Sequence, residues 1–254
     1  MKKLKLRFKL LTIVIVPLLL SFLFYQQKHV TVYLIGDSTM CMFGPAQSPL
    51  TGWGMPFANF FDSSITVKDK AESGASTRTF IEENLWKPVE DSLRSGDYLL
   101  IQFGHNDEVP TKDSYTTEKD FKANLIRFIT VAKDKRANPV LITPVARRRF
   151  DDHGNIQETH EPYSGYVRNI ALEYKVPLID LNKKSQLLLQ ELGPEKSKFL
   201  FNHLAPGENP HFPEGNEDNT HFNELGARKI AEIVLAEIKT LKLELADRIV
   251  KPRH

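Results

Sequence analysis

The sequence predicts an α/β fold built on a central parallel sheet of about five strands. Short β-rich runs alternate with segments long enough for crossover helices, and those runs are continuously apolar rather than alternating. Continuous apolarity marks strands covered by helices on both faces. The intervening segments carry apolar residues at three- and four-residue spacing, the period of a helix with one buried face. With 254 residues and 41% hydrophobic composition, the chain can bury one substantial core, and a second domain is not required.

In chain order, residues 1–28 come first and differ in kind from the rest. They hold six Lys/Arg and no acidic residue, with Lys2, Lys3, Lys5, Arg7 and Lys9 ahead of the apolar run "LLTIVIVPLLLSFLFY" (10–25). That layout predicts an export signal and a periplasmic or extracellular protein. The run has 16 residues, short of the roughly 20 of a comfortable span, and Pro17 interrupts it. No small-x-small cleavage site follows, so an uncleaved membrane anchor through residues 10–25 is the alternative. Without this segment, 28 basic residues face 32 acidic ones, a net −4 for the single domain expected over 29–254. Such a balance argues against a nucleic-acid footprint. One cysteine, Cys41, allows no intrachain disulfide, and a buried structural role fits its surroundings.

Strands are predicted at "HVTVYLI" (29–35), "SITVK" (64–68), "DYLLIQF" (97–103), "NPVLITP" (138–144) and "VPLIDL" (176–181). Helices are predicted over 118–136, 164–174, 183–192 and 224–242. Between the last two, residues 201–219 hold three prolines, two glycines and no hydrophobic period, and read as a long loop. Ligands of open parallel sheets bind beyond the carboxyl ends of the strands, so the residues there are the ones to read for chemistry. They are Gly36-Asp37-Ser38 after the first strand, Gly74 in "AESGAS" after the second and "GHND" (104–107) after the third. "EDNTHFN" (217–223) stands just before the last helix.

Taken singly, each motif has an ordinary structural reading: Ser38 as a helix cap, "GHND" as a polar turn, "DNTH" as an N-cap cluster and Gly74 as a turn with positive φ. Together, in order and at strand ends, they supply the parts of nucleophilic catalysis. A serine hydroxyl needs a base, and His221 is the candidate. Asp218, three residues earlier, can hold its Nδ1 proton from a turn or helical start. Ser38 N–H, Gly74 N–H and the Asn106 amide are available to stabilise an oxyanion.

The ordered set resembles the four blocks of the SGNH (GDSL-type) hydrolases, whose Ser, Gly, Asn and His match Ser38, Gly74, Asn106 and His221. "GDSTM", "GWG" (52–54), "FGHND", "TPVARRRF" (143–150) and "EDNTHFNELGARKIAE" resemble the rhamnogalacturonan acetylesterase branch, over about residues 30–240. The resemblance implies a three-layer α/β/α, flavodoxin-like fold. It also implies Ser38 as nucleophile, His221 as base, Asp218 as orienting carboxylate and an oxyanion hole from Ser38 N–H, Gly74 N–H and Asn106. The implied substrate is an acetylated plant cell-wall polysaccharide, most directly rhamnogalacturonan. Acetylated xylan, a lipid ester or non-catalytic glycan binding on the same fold are the alternatives. Near Gly74 the chain reads "ESGAST", where the bacterial branch often has Asn before the glycine and a polar or basic residue after it.

Trp53 reads either as a sugar-stacking platform or as helix packing, and Arg147, Arg148 and Arg149 either as partners for galacturonate carboxylates or as a solvated loop. His105 is read as shaping the turn beside Asn106. His203, His211 and His221 cluster in sequence with Glu208, Glu214 and Asp218, but no HExxH or similar ligand spacing occurs. Neither a metal nor another cofactor is expected.

Overall fold

The structure is a computed structural model that describes residues 29–250. The expected export signal or anchor lies outside the described residues. Five parallel strands form the central sheet: β1 (Val30–Gly36), β2 (Ile65–Asp69), β3 (Tyr98–Gln102), β4 (Asn138–Ile142) and β5 (Leu178–Ile179), in the order β2-β1-β3-β4-β5. The register sets Val32 opposite Tyr98, and Leu99 opposite Pro139. The order reverses at β1, so the crevice at the carboxyl ends of β1 and β3 is the topological switch point where such sheets bind ligands.

Because successive strand residues point to opposite faces, β1 and β3 divide their side chains between two cores. Val32, Leu34, Tyr98 and Leu100 go to one, with Val140 and Ile142 from β4. There they meet α1 (Gly54–Phe57), α6 (Leu181–Lys196) and α7 (Glu224–Thr240), the last through Ile230, Val234 and Ile238. Full burial of each such aliphatic side chain contributes about 1.5–3 kcal/mol. Tyr33, Ile35, Leu99 and Ile101 go to the other face, against α2 (Thr77–Glu82), α3 (Trp86–Ser92), α4 (Glu118–Asp134) and α5 (Tyr163–Glu173). The result is the expected three-layer α/β/α arrangement.

The helices start where side chains can satisfy free backbone N–H groups. Ser76 accepts from Thr79 N–H, Thr117 from Asp120 N–H and Asn223 from Gly226 N–H, opening α2, α4 and α7. The expected helix over 183–192 begins two residues earlier, and its regular part breaks at Gly193, ahead of Pro194.

The crossover from β2 to β3 contains α2 and α3, short helices whose few turns give little periodicity. One expectation is corrected. Residues 201–219 are not one long loop. They fold into an antiparallel hairpin, β6 (Phe201–Leu204) and β7 (Asn216–Phe222), separate from the main sheet. β7 reads "NEDNTHF", a polar strand with only Phe222 buried, so hydrophobic pattern could not reveal it.

The hairpin and α7 pack closely at Gly226. A Cβ there would lie 1.9 Å from the Leu200 carbonyl oxygen just ahead of β6, closer than any side chain can approach. Gly226→Ala should therefore destabilise the fold by about 1–3 kcal/mol through overpacking, a melting temperature lowered by roughly 2–12 °C. A thermal melt unchanged from the parent would contradict this packing.

Candidate active site

β1 ends at Gly36 and the chain turns at once, with Met40 N–H and Cys41 N–H both donating to the Asp37 carbonyl. Ser38 sits on this turn, almost buried, and no helix follows it. Asp37 holds the turn instead: its Oδ1 accepts from Thr39 N–H at 3.0 Å and from Thr39 Oγ1 at 2.8 Å. The Ser38 hydroxyl is therefore not used in holding the turn.

It faces His221. Ser38 Oγ lies 2.9 Å from His221 Nε2, and His221 Nδ1 lies 2.7 Å from Asp218 Oδ2. With Nδ1 protonated and donating to the carboxylate, Nε2 is left as an acceptor for the serine proton. Asp218 and His221 belong to β7, not to a turn or helix start. The Asp218 Oδ1 accepts from Thr220 N–H at 2.7 Å and from His221 N–H at 2.9 Å, which fixes the carboxylate against its own strand. Burial alone would push this carboxyl up, but hydrogen bonds from His221 and Thr220 hold it below its ordinary value. Phe43 packs edge-on against the His221 ring at 6.3 Å.

The remaining expected residues, Gly74 and Asn106, line one cleft together. Gly74 has φ +80°, a conformation L side chains rarely adopt, while an added Cβ would meet nothing within 4 Å. Conformation, not crowding, thus selects glycine. Within the described residues, neither Ser38 N–H nor Gly74 N–H is engaged by an acceptor. Asn106 is buried, and its Nδ2 donates to the Ala75 carbonyl at 2.9 Å, which joins the second and third polar motifs. Asn106 and Gly74 line a polar cleft of about 700 Å³ with Ser73, Arg78 and Lys112.

Beneath the "GHND" turn lies a buried polar chain. His105 Nδ1 is 3.3 Å from Asp37 Oδ2, outside hydrogen-bond geometry, and its ring meets that of His160 at 4.4 Å. Burial drives the His105 imidazole down to about 4, so it is uncharged at neutral pH. His160 reaches the Val145 carbonyl through Nε2 at 2.9 Å and Glu108 through Nδ1 at 3.0 Å. Arg147 binds the same Glu108 and donates to the His105 carbonyl at 3.1 Å. The His105 ring lies beside Asp37 and against His160 under the turn, and Glu108 and His160 are residues the sequence did not single out. Nothing in their spacing, 52 positions apart, could have marked them.

Several other expectations are sharpened or corrected. Trp53 is completely buried and offers no face to a sugar; its Nε1 donates to Gln102 Oε1 at 2.8 Å. Gln102 Nε2 in turn donates to Thr39 Oγ1 at 2.7 Å, so the indole supports the nucleophile turn through Gln102 and Thr39. Arg147 and Arg148 are engaged internally, Arg148 with Ser197 Oγ at 3.0 Å and Asn219 Oδ1 at 2.7 Å. Arg149 alone of the three is exposed. Cys41 is buried, and burial together with Asp69, Asp37 and Glu72 pushes its thiol up to about 12, which suits a structural role. Among the described residues, no three or more His, Cys, Asp or Glu side chains are grouped to hold a metal ion.

A serine, an imidazole and a carboxylate linked in this order, beside free N–H donors at a switch point, define a serine hydrolase site. The sequence agrees: the GDSL-like Lipase/Acylhydrolase family matches over residues 34–229, and the chain belongs to that family. It is 43% identical over 227 residues to the rhamnogalacturonan acetylesterase RhgT of Bacillus subtilis, covering 89% of this chain and 96% of that protein. The probable rhamnogalacturonan acetylesterase YesY of the same organism is 35% identical over 224 residues, with 87% and 98% covered. Among solved structures, the Bacillus subtilis protein YxiM superposes with a TM-score of 0.73 at 28% identity, over 85% of this chain and 58% of that one. The acetylxylan esterase Axe2 of Geobacillus stearothermophilus shares the fold, with a TM-score of 0.61 at 20% identity over 89% of this chain and 98% of that one.

Trp53→Phe separates the two readings of that residue. It leaves Gln102 Oε1 without its donor in the core, a cost of about 1–3 kcal/mol, and should lower the melting temperature while leaving the KM for a polysaccharide ester unchanged. A raised KM with an unchanged melt would restore the stacking role.

Proposed function

We propose that this protein is a serine esterase that removes acetyl groups from rhamnogalacturonan, with Ser38 as nucleophile, His221 as base and then acid, and Asp218 as the carboxylate that orients it. The observation that carries the reading is the continuous relay from Ser38 Oγ to His221 at 2.9 Å and on to Asp218 at 2.7 Å. Ser38 Oγ attacks the acetyl carbonyl as its proton passes to His221 Nε2. The oxyanion is met by Ser38 N–H, Gly74 N–H and Asn106 Nδ2, each such donor being worth about 2.7–4 kcal/mol in the transition state. Collapse expels the sugar oxygen, which takes the proton from His221. Water, activated by the same imidazole, then releases acetate from Ser38.

Rhamnogalacturonan is favoured as substrate by the near full-length likeness to RhgT at 43% identity. The likeness to Axe2 supports the fold alone at 20% identity, which leaves acetylated xylan as the second substrate to test. The charged-then-apolar layout of residues 1–25 supports action outside the cytoplasm, where a polymeric substrate is reachable.

Acetate release from acetylated rhamnogalacturonan tests the reading, with Ser38→Ala expected to be inactive and normally folded. Faster release from acetylated xylan would overturn the substrate, and an active Ser38→Ala the mechanism. The bonds from His221 and Thr220 hold the Asp218 carboxyl below its ordinary value, so the carboxylate that orients the imidazole stays ionised at neutral pH. Activity should fall as pH falls, and a flat profile would count against His221 as base.

A further inference from the structure

Asn106 is held from two sides. Its Nδ2 donates to the Ala75 carbonyl at 2.9 Å, and its Oδ1 accepts from the Lys112 ammonium at 2.9 Å. These partners fix which end of the amide is which, because the reverse orientation would set N–H against ammonium and oxygen against oxygen. The second N–H of the same Nδ2 is then the one left to donate to an oxyanion.

Lys112 is exposed, but its backbone is not loose. Lys112 N–H donates to the Val109 carbonyl and Tyr115 N–H to the Lys112 carbonyl, both at 3.0 Å, so the residue closes one turn and opens the next. Thr116 N–H donates to the Asp107 carbonyl at 3.0 Å, closing the loop onto the "GHND" turn. From α2, the Arg78 guanidinium donates to the Tyr115 carbonyl at 3.1 Å and to the Asp113 carbonyl. Asp107 Oδ1 accepts from Thr77 N–H at 2.9 Å and from Thr77 Oγ1 at 2.7 Å, fastening the two loops together. Among the described residues, Lys112 forms no ion pair with a carboxylate, although Glu82, Glu83 and Asp113 line the same cleft. Its charge is thus spent on the Asn106 amide.

We propose that Lys112 is a positioning residue for ester hydrolysis, which locks and polarises the Asn106 amide so that its free N–H meets the oxyanion more strongly. A charged donor on the amide oxygen draws electron density toward that oxygen and makes the N–H groups better donors. The oxyanion carries a full charge only in the tetrahedral state, so the gain falls on kcat. A polymer lying over the cleft also excludes water from the pair and strengthens it. This inference rests on the reading of Asn106 as an oxyanion donor.

The experiment is a double-mutant cycle with 4-nitrophenyl acetate, a small neutral ester with no carboxylate to recognise. Lys112→Met should lower kcat about 10-fold with KM unchanged, less than the about 10²–10³-fold expected for loss of an oxyanion donor in Asn106→Ala. In the Asn106→Ala background, Lys112→Met should change kcat by less than about 2-fold, since the group it acts through is gone. Lys112→Cys treated with 2-bromoethylamine restores an ammonium at the same reach and should recover most of kcat, while buried Cys41 stays unmodified. Unchanged kcat in Lys112→Met, or losses that multiply across the cycle, would overturn the proposal. A defect confined to KM on acetylated rhamnogalacturonan would reassign the lysine to substrate carboxylates and overturn it equally. Full activity in Asn106→Ala would instead remove the oxyanion reading on which it stands.

Discussion

The hydrogen bond between Ser38 Oγ and His221 Nε2 joins residues 183 positions apart, and the surrounding architecture is arranged so that this contact can form. A serine on its own turn is a weak nucleophile, and a histidine on a separate hairpin is only a solvated base. The central sheet brings the carboxyl ends of β1 and β3 side by side, which places Ser38 beside the Asn106 turn. The hairpin β6-β7 is then stitched to the nucleophile segment itself: Thr51 N–H donates to the Phe222 carbonyl at 2.9 Å, next to His221. Trp53 N–H returns to the Thr39 carbonyl at 3.0 Å, so the same segment is bound at both ends.

Below the site, Asp37, Gln102, His105, Asp107 and His160 are buried polar groups. Among the described residues, Asp37 Oδ2 and both ring nitrogens of His105 lack hydrogen-bond partners, although each residue is almost wholly buried. Such groups cost free energy when left unpaired, and they occur here directly under the nucleophile and the Asn106 turn. They are compensated around them by fully engaged neighbours: Thr39 on Asp37, and Glu108, Arg147 and the Val145 carbonyl around His160. The consequence is a rigid floor for two loops that must hold their donors still while charge develops above them.

Legibility in the sequence followed burial. β1, β3 and β4 were readable because both faces are covered and their residues are continuously apolar, and α4 and α7 because each buries one stripe. Ser38 and Asn106 were readable because each follows a strand end, Gly74 because it suits a turn with positive φ, and Asp218 and His221 because their three-residue spacing suits a carboxylate that orients a base. β7 was not, since its polar residues are there for the site and carry no hydrophobic pattern. Trp53 misled because an aromatic next to glycines suits sugar stacking and core packing alike, and only its complete burial decides. Lys112 is one lysine in a polar loop, and its role depends on a bond to a side chain six positions away that no spacing rule predicts.

Catalysis here stands on Ser38 being activated by His221. Intact-protein and peptide mass measurement after treatment with a serine-directed organophosphonate tests it most directly, comparing the parent with His221→Ala. One adduct per chain is expected, located at Ser38, formed rapidly in the parent and severely slowed without the imidazole. An adduct at another residue, or one forming at Ser38 equally fast in His221→Ala, would contradict it.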